Sequence, residues 1–303
     1  MDPCIEVEHL HKHYGPVEAV RGVSFNVARG EIFGLLGQNG AGKTTIVECL
    51  QGLRRADAGK LRVLGLNPAT HAQALRRRIG CQLQDSALPD RIKVWEALSL
   101  FASLTSSKTN WRKLMEDWGL SQKANSHFST LSGGQRQRLF VALALVNSPE
   151  VVFLDEMTTG LDPAARHVAW ELIRQIRERG ATVVLVTHFM DEAQKLCDRL
   201  AIVDKGLIVA LDSPRGLIKR YAADLRVTFT SEESDLSWLE TVACVDKVER
   251  AGQHVTVYGK DPVLLFVAAK LIDHGITPHD LRLHQPGLED VFLKLTAKSG
   301  GLD

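Results

Sequence analysis

Nine consecutive residues, Gly37-Gln38-Asn39-Gly40-Ala41-Gly42-Lys43-Thr44-Thr45, have the types and spacing that hold a chain of phosphates. Gly37, Gly42, Lys43 and Thr44 satisfy the pattern G-x-x-x-x-G-K-[ST]. Glycines let the backbone wrap closely enough for its N–H groups to point at phosphate oxygens, and a following helix adds the favourable end of its dipole. Lys43 is placed to neutralise the β and γ oxygens, and the Thr44 hydroxyl to bind Mg²⁺. A second group lies far downstream, where the apolar run 151–154 ends in Asp155 and Glu156. Asp155 suits a water-mediated hold on Mg²⁺, and Glu156 suits orienting and deprotonating an attacking water.

These groups need a scaffold that brings them to one edge. The phosphate loop follows the apolar run 32–36 and precedes 46–50, which is the strand–loop–helix setting its chemistry requires. Residues 4–35 alternate apolar and polar, broken at Tyr14-Gly15-Pro16 and Arg29-Gly30, and so predict an antiparallel hairpin. Strands are expected at 60–64, 151–154 and 182–186, and helices at 72–78 and 164–179. Short β-branched runs alternating with helices predict a buried, mostly parallel sheet whose C-terminal strand ends face one crevice. The segment 94–144 turns helical, at 95–104 and 111–118 among others, and reads as a subdomain inserted over about 85–147. A boundary is expected at Asp212-Ser213-Pro214. The tail, 221–303, reads as strand 225–230, helix 234–242, strands 245–250 and 254–259, helix 261–274, strand 276–283 and helix 288–296. Up to the last helix, that order is the split arrangement of ferredoxin-like α+β folds.

Composition narrows the classes. Lys plus Arg number 37 against 36 Asp plus Glu, so no strong field gathers nucleic acid or anionic lipid. The five cysteines, Cys4, Cys49, Cys81, Cys197 and Cys244, form no CxxC pair and suit a reducing compartment. The acidic N-terminus lacks the regions of a signal peptide. Continuous apolar runs such as 139–146 fall well short of the roughly twenty residues a spanning helix needs.

Three further strings, taken with the carboxylate pair, resemble one family. Leu131-Ser132-Gly133-Gly134-Gln135 looks like the signature of ATP-binding cassette (ABC) ATPases, and Thr159-Gly160-Leu161-Asp162 and Thr187-His188 follow it in that family's order and spacing, with the carboxylate pair between. The resemblance covers residues 4 to about 215 and implies a P-loop NTPase of ABC type, with an antiparallel β subdomain and the inserted helices, over 1–215. It implies that ATP with Mg²⁺ is the ligand and that Tyr14 stacks on adenine. Gln84 then reaches Mg²⁺ and the attacking water, although Gln82 stands two residues away and the sequence alone leaves both open. Asp162 touches a partner subunit, and His188 sits at the γ-phosphate. Gln38 and Met157 stand where the family commonly has proline; neither supplies a side chain to the chemistry. In the family, the phosphate loop and signature of one subunit face different nucleotides. A chain with one of each is expected to work as a head-to-tail pair, with itself or a related ATPase, closing over two ATP molecules.

The stretch 82–89 and Gly287-Leu288-Glu289-Asp290-Val291-Phe292-Leu293 look like ATPase subunits of ABC-2-type exporters, and within these the daunorubicin-resistance kind of multidrug efflux ATPase. That implies a separate membrane permease, peripheral association at the cytoplasmic face of the membrane, and docking near Leu88, Pro89, Ile92 and Val94. The readings set against it are a soluble ABC ATPase of another process and a polysaccharide or lipid exporter whose tail senses cargo. A tail that merely stabilises packing or a dimer is the plainer alternative.

Overall fold

The computed structural model describes residues 3–82, 87–105, 110–222, 224–233 and 235–299. The chain divides into two compact units, Met1–Pro214 and Arg215–Asp303.

The first unit begins with the alternating segment. Strands β1 (Ile5–Tyr14) and β2 (Val17–Val27) pair antiparallel through the tight turn at Gly15-Pro16. Strand β3 (Ile32–Leu36) is buried at every residue and runs into the phosphate loop, from which helix α1 (Lys43–Leu50) starts. Strand β4 (Ala58–Val63) adds to the other edge of β1, giving a three-stranded sheet in the order β2-β1-β4. Helix α2 (Ala72–Arg76) then leads to β5 (Ile79–Gln82).

Helices α3 (Val94–Ser103), α4 (Trp111–Asp117) and α5 (Gly133–Ala144) form the helical segment, after which the chain returns to β6 (Val151–Asp155). Helix α6 (Pro163–Glu178), strand β7 (Thr182–Thr187), helix α7 (Met190–Leu196) and strands β8 (Arg199–Asp204) and β9 (Leu207–Asp212) complete the unit. The central sheet has the order β5-β6-β7-β3-β8-β9, parallel except for the β8–β9 hairpin. Continuous burial along β3, β6 and β7 explains their unbroken apolar runs, because both faces of a parallel sheet are covered. The antiparallel sheet packs into the same core, with Phe25 of β2 stacked on Phe33 of β3 at 5.2 Å between ring centroids.

The strand order places β6, β7 and β3 side by side, so their C-terminal ends bring Glu156, His188 and the phosphate loop together. No helix among the described residues is long and apolar enough to cross a membrane.

The second unit opens with helix α8 (Pro214–Tyr221) and carries strands β10 (Leu225–Thr230), β11 (Val245–Ala251), β12 (His254–Gly259) and β13 (Arg282–His284). They form an antiparallel sheet in the order β11-β12-β10-β13. Helix α9 (Val263–Asp273) covers it through Val263, Val267 and Leu271, and helix α10 (Leu288–Ser299) follows. Two expected elements are shorter than their apolar patterns. In place of a helix over 234–242 there is a 3₁₀ turn, Ser237–Thr241, preceded by Asp235, whose carboxylate accepts from the Ser237 N–H and favours a turn over a helix. In place of a strand over 276–283 only Arg282–His284 pairs. Pro278 has no donor for a ladder, and Asp280 turns its carboxylate to the Thr230 N–H and hydroxyl at the end of β10.

Candidate active site

The phosphate loop is shaped by what surrounds it. A Cβ at Gly37 would lie 2.3 Å from the Val203 carbonyl oxygen, and one at Gly42 would lie 2.4 Å from that of Ala19. Gly42 also has φ 102°, a left-handed turn that lets α1 start with its N–H groups facing the loop. Lys43, 4 % exposed, folds back and donates to the Gly37 and Gln38 carbonyls at 2.8 and 2.9 Å. Burial lowers the pKa of its ammonium, and the carboxylates of Glu156 and Asp155 oppose that shift. The lysine is thus held, already largely desolvated, at the floor of a cavity of about 420 Å³. Tyr14, Ala19, Asn39, Gly40, Gly42, Thr44, Thr45 and Glu156 complete its lining. Gln38 contributes its carbonyl, while its side chain is exposed; Ala41 is buried and donates to the Gln38 carbonyl, closing the loop on itself.

Asp155 ends β6 at 2 % exposure. Burial pushes its carboxyl up to about 6, against a hydrogen bond from the Thr44 hydroxyl. Its Oδ1 atom is buried without a hydrogen-bond partner. An uncompensated carboxylate oxygen beside a threonine hydroxyl is a donor set that suits a hard divalent cation such as Mg²⁺, which takes oxygen ligands and offsets the desolvation.

Glu156 is the next residue, and its backbone is unusual. Its φ is +49°, in the left-handed region that non-glycine residues rarely adopt. Its N–H donates to the Val186 carbonyl at 3.0 Å, which ties the turn to β7. The carboxylate is 6 % exposed and central to the site. Its Oε1 atom lies 3.9 Å from Lys43 Nζ and 3.3 Å from His188 Nδ1, an ion-pair distance without hydrogen-bond alignment. Its Oε2 accepts from the Thr159 hydroxyl at 3.4 Å. A carboxylate so held beside an imidazole can take a proton from water in the cavity.

The signature string forms the start of α5. Ser132 is its N-cap: its hydroxyl accepts from the Gln135 N–H at 3.4 Å, and the Gln135 side chain accepts from the Ser132 N–H at 3.1 Å. Gly133 and Gly134 leave the first turn bare, with open space where a Cβ at Gly134 would stand. Ser132, Gly134 and Gln135 line a second cavity, of about 230 Å³, with residues of α6. It shares no lining residue with the phosphate cavity.

Known proteins resemble this chain in sequence and in fold. Residues 20–159 match the family model described as ABC transporter. The chain is 40 % identical to a "Nod factor export ATP-binding protein I" of Ralstonia nicotianae, over 98 % of this chain and 94 % of that one. It is 39 % identical to a protein of the same name from a Rhizobium species, over 97 % of both chains. Among solved structures, an "ATP binding subunit of ABC transporter" superposes with a TM-score of 0.65 at 26 % identity, over 72 % of this chain and 93 % of that one. The chain belongs to the ABC transporter ATPases.

Within this ABC ATPase, the expected residues fall into two sets. Tyr14, the loop, Asp155, Glu156 and His188 gather at the phosphate cavity. The ring of Tyr14 is 38 % exposed, approached by Lys12 Nζ at 5.6 Å and by the Arg54 guanidinium at 5.4 Å. Ser132, Gly133, Gly134 and Gln135 stand apart at α5. Asp162 is an N-cap, its carboxylate accepting from the Ala165 N–H at 2.9 Å with Pro163 at the first helical position. Gln84 lies outside the described residues. Its neighbour Gln82 is buried in β5, and its Oε1 has no hydrogen-bond partner.

Three participants escaped the sequence reading. Ala19 walls the phosphate cavity, Thr159 holds Glu156, and Gln137 donates to the Met157 carbonyl, tying α5 to the turn after the carboxylates. Thr159 stood in a quoted motif, whereas Ala19 and Gln137 act through contacts that no local pattern announces.

Proposed function

We propose that this ABC ATPase is the energising subunit of an exporter, working as a head-to-tail pair that closes two ATP molecules between phosphate loop and signature and drives a separate membrane permease. The observation that carries the pairing is the division of the site into two cavities with no common lining residue. Ser132 and the open N-terminus of α5 suit an anion, and the triphosphate bound at Lys43 of a second copy supplies one. In this reading Thr44 and Asp155 hold Mg²⁺, joined by Gln84, and the metal neutralises charge on the phosphates. Glu156 receives the proton of the attacking water. His188 positions Glu156 and faces the γ-phosphate, Tyr14 stacks on the base, and Asp162 meets the partner subunit while capping its own helix.

Export rests on the relatives, whose printed names concern Nod factor export; drug efflux rests on the sequence resemblance alone. A cargo route through a membrane calls for another chain, because no described helix can span one. The tail's strand order supports a ferredoxin-like domain over about 221–303, appended to the ABC domain of 1–215.

For the permease we assign the surface between β5 and the helical segment, reached from the cytoplasmic face of the membrane. There Leu53, Cys81 and Phe101 line an apolar groove of about 300 Å³, and Leu104 stands 75 % exposed beside it. Pro89 is exposed and Leu88 and Ile92 half-buried, but Val94 is fully buried at the start of α3 and belongs to the core. Leu88→Asp is expected to leave the purified subunit's basal ATP hydrolysis within about twofold of wild type, since Leu88 is only half-buried and lies outside the buried core. The same change abolishes recovery of the subunit with membranes that contain the permease. Full recruitment of the variant at normal protein levels would reject this docking surface.

A further inference from the structure

The hairpin that carries Tyr14 holds a cluster outside the nucleotide chemistry. Among the described residues, His11, His13 and Glu18 form the one group of three potential metal ligands, with their donor atoms all within 4.8 Å of one another. Glu18 Oε1 is the hub, 3.4 Å from His11 Nδ1 and 3.8 Å from His13 Nε2. Tetrahedral zinc with bonds of about 2.0–2.1 Å sets neighbouring ligands roughly 3.3 Å apart, so small side-chain rotations close this set on an ion.

The hairpin builds the cluster from its two strands, within eight residues of chain. His13 on β1 faces Glu18 on β2 as a direct cross-strand pair. A register shift between Lys12 and His13 accompanies the arrangement that leaves both histidines near one carboxylate. Room for the His11 ring comes from Gly22, where a Cβ would lie 3.1 Å from His11 Nε2. Arg21 approaches the other carboxylate oxygen, Oε2, at 3.6 Å and orients the first toward the histidines, as outer partners of metal ligands do. Lys12 is engaged elsewhere, with Asp57 at 2.8 Å. Both histidines and the glutamate are reachable from solvent, with side chains 37 % to 47 % exposed.

We propose that His11 Nδ1, His13 Nε2 and Glu18 Oε1 form a site for a borderline-soft divalent transition metal, Zn²⁺ first, with water completing the coordination. Two imidazoles and a carboxylate with one open position match zinc and disfavour Mg²⁺ and Ca²⁺, which take oxygen donors. The metal would staple β1 to β2 across the turn between Tyr14 and Val17. Two wall residues of the phosphate cavity are chain neighbours of ligands: Tyr14 follows His13, and Ala19 follows Glu18. Zinc on the staple therefore stiffens the wall against which a nucleotide base rests, and the two sites influence each other reciprocally. That coupling rests on the nucleotide reading above; the metal site itself does not.

The test uses the full-length, tag-free chain in chelator-stripped buffer without nucleotide, titrated with Zn²⁺ alone by calorimetry. One equivalent is expected to bind, with affinity reduced at least about tenfold in His13→Ala and in Glu18→Gln, since loss of a ligand exceeds the loss of its outer partner. Circular dichroism and thermal midpoint of both variants should match wild type before zinc is added, because the positions are exposed. Absence of binding to wild type would overturn the proposal. So would equal affinity in wild type and both variants, which would place the metal on another group such as the cysteines. Any Mg²⁺ binding, titrated in place of Zn²⁺, should be the same in wild type, His13→Ala and Glu18→Gln, and Mg²⁺ affinity that falls with both variants as far as Zn²⁺ affinity does would contradict the assigned ligand chemistry.

Discussion

Lys43 shows most directly how one residue sets this site. Its ammonium is withdrawn from water, held by two loop carbonyls, and faces the carboxylates of Asp155 and Glu156. A bound triphosphate gains a preorganised cation without drawing it out of solvent. Lys43→Ala is expected to weaken ATP binding by about ten- to a hundredfold, the worth of a charge-assisted hydrogen bond at a desolvated site. Equilibrium binding with a fluorescent nucleotide checks this. Glu192 offers a second, independent prediction. It is 0 % exposed, and its Oε1 accepts from Trp170 Nε1 at 3.0 Å. Burial raises its pKa above the ordinary value of 4.5. The folded state therefore binds its proton more tightly than the unfolded state does. This favourable linkage is full below about 4.5 and is lost as pH rises through the higher folded value. Glu192→Gln should raise stability to denaturant at pH 8, with the gain vanishing toward pH 4. A mutant with wild-type stability at both pH values would contradict this. At this scale the sequence was a good guide wherever function needs consecutive residues, as in the phosphate loop and the Asp155-Glu156 pair. It was silent on the left-handed backbone of Glu156 and on the His11–His13–Glu18 cluster, which depend on the partner strand and its register.

Elements decide which residues meet. Strands β3, β6 and β7 were legible because two-sided burial writes itself as an unbroken apolar run. The tail's 3₁₀ turn and shortened β13 were not, because Asp235 and Asp280 divert backbone donors that a regular helix or strand would use. Val94 shows the same limit: an apolar residue beside a surface loop turned out to close the core at α3. Asp162 has two duties at the level of elements, capping α6 and, in the proposed pair, meeting the partner. The two can be separated. Asp162→Ala removes the cap and should lower unfolding free energy by about 1 kcal/mol. Asp162→Asn keeps an acceptor at the cap, so its stability stays close to wild type, while the loss of charge reaches the partner contact. Thermal melts of the single subunit, set beside ATP hydrolysis rates, distinguish the duties. Equal melts for the two variants would remove the cap from the account.

At the scale of the whole molecule, the proposed pairing follows from where the two halves of the site lie. Both cavities lie in the first unit, yet the signature lines one and the phosphate loop the other. The sequence contains each half and says nothing by spacing alone about their separation; the intervening helices and the sheet order create it. The central claim is that ATP joins two copies across these halves and that Glu156 then breaks the bond. Glu156→Gln keeps the side chain's shape and removes its capacity to accept the proton, so ATP should bind and remain. The most direct measurement is the light-scattering mass of this variant with and without Mg-ATP. The expected result is 33.4 kDa without nucleotide and twice that with it, at a hydrolysis rate at least about a hundredfold below wild type. A monomer at saturating Mg-ATP, or hydrolysis at the wild-type rate, would contradict the account.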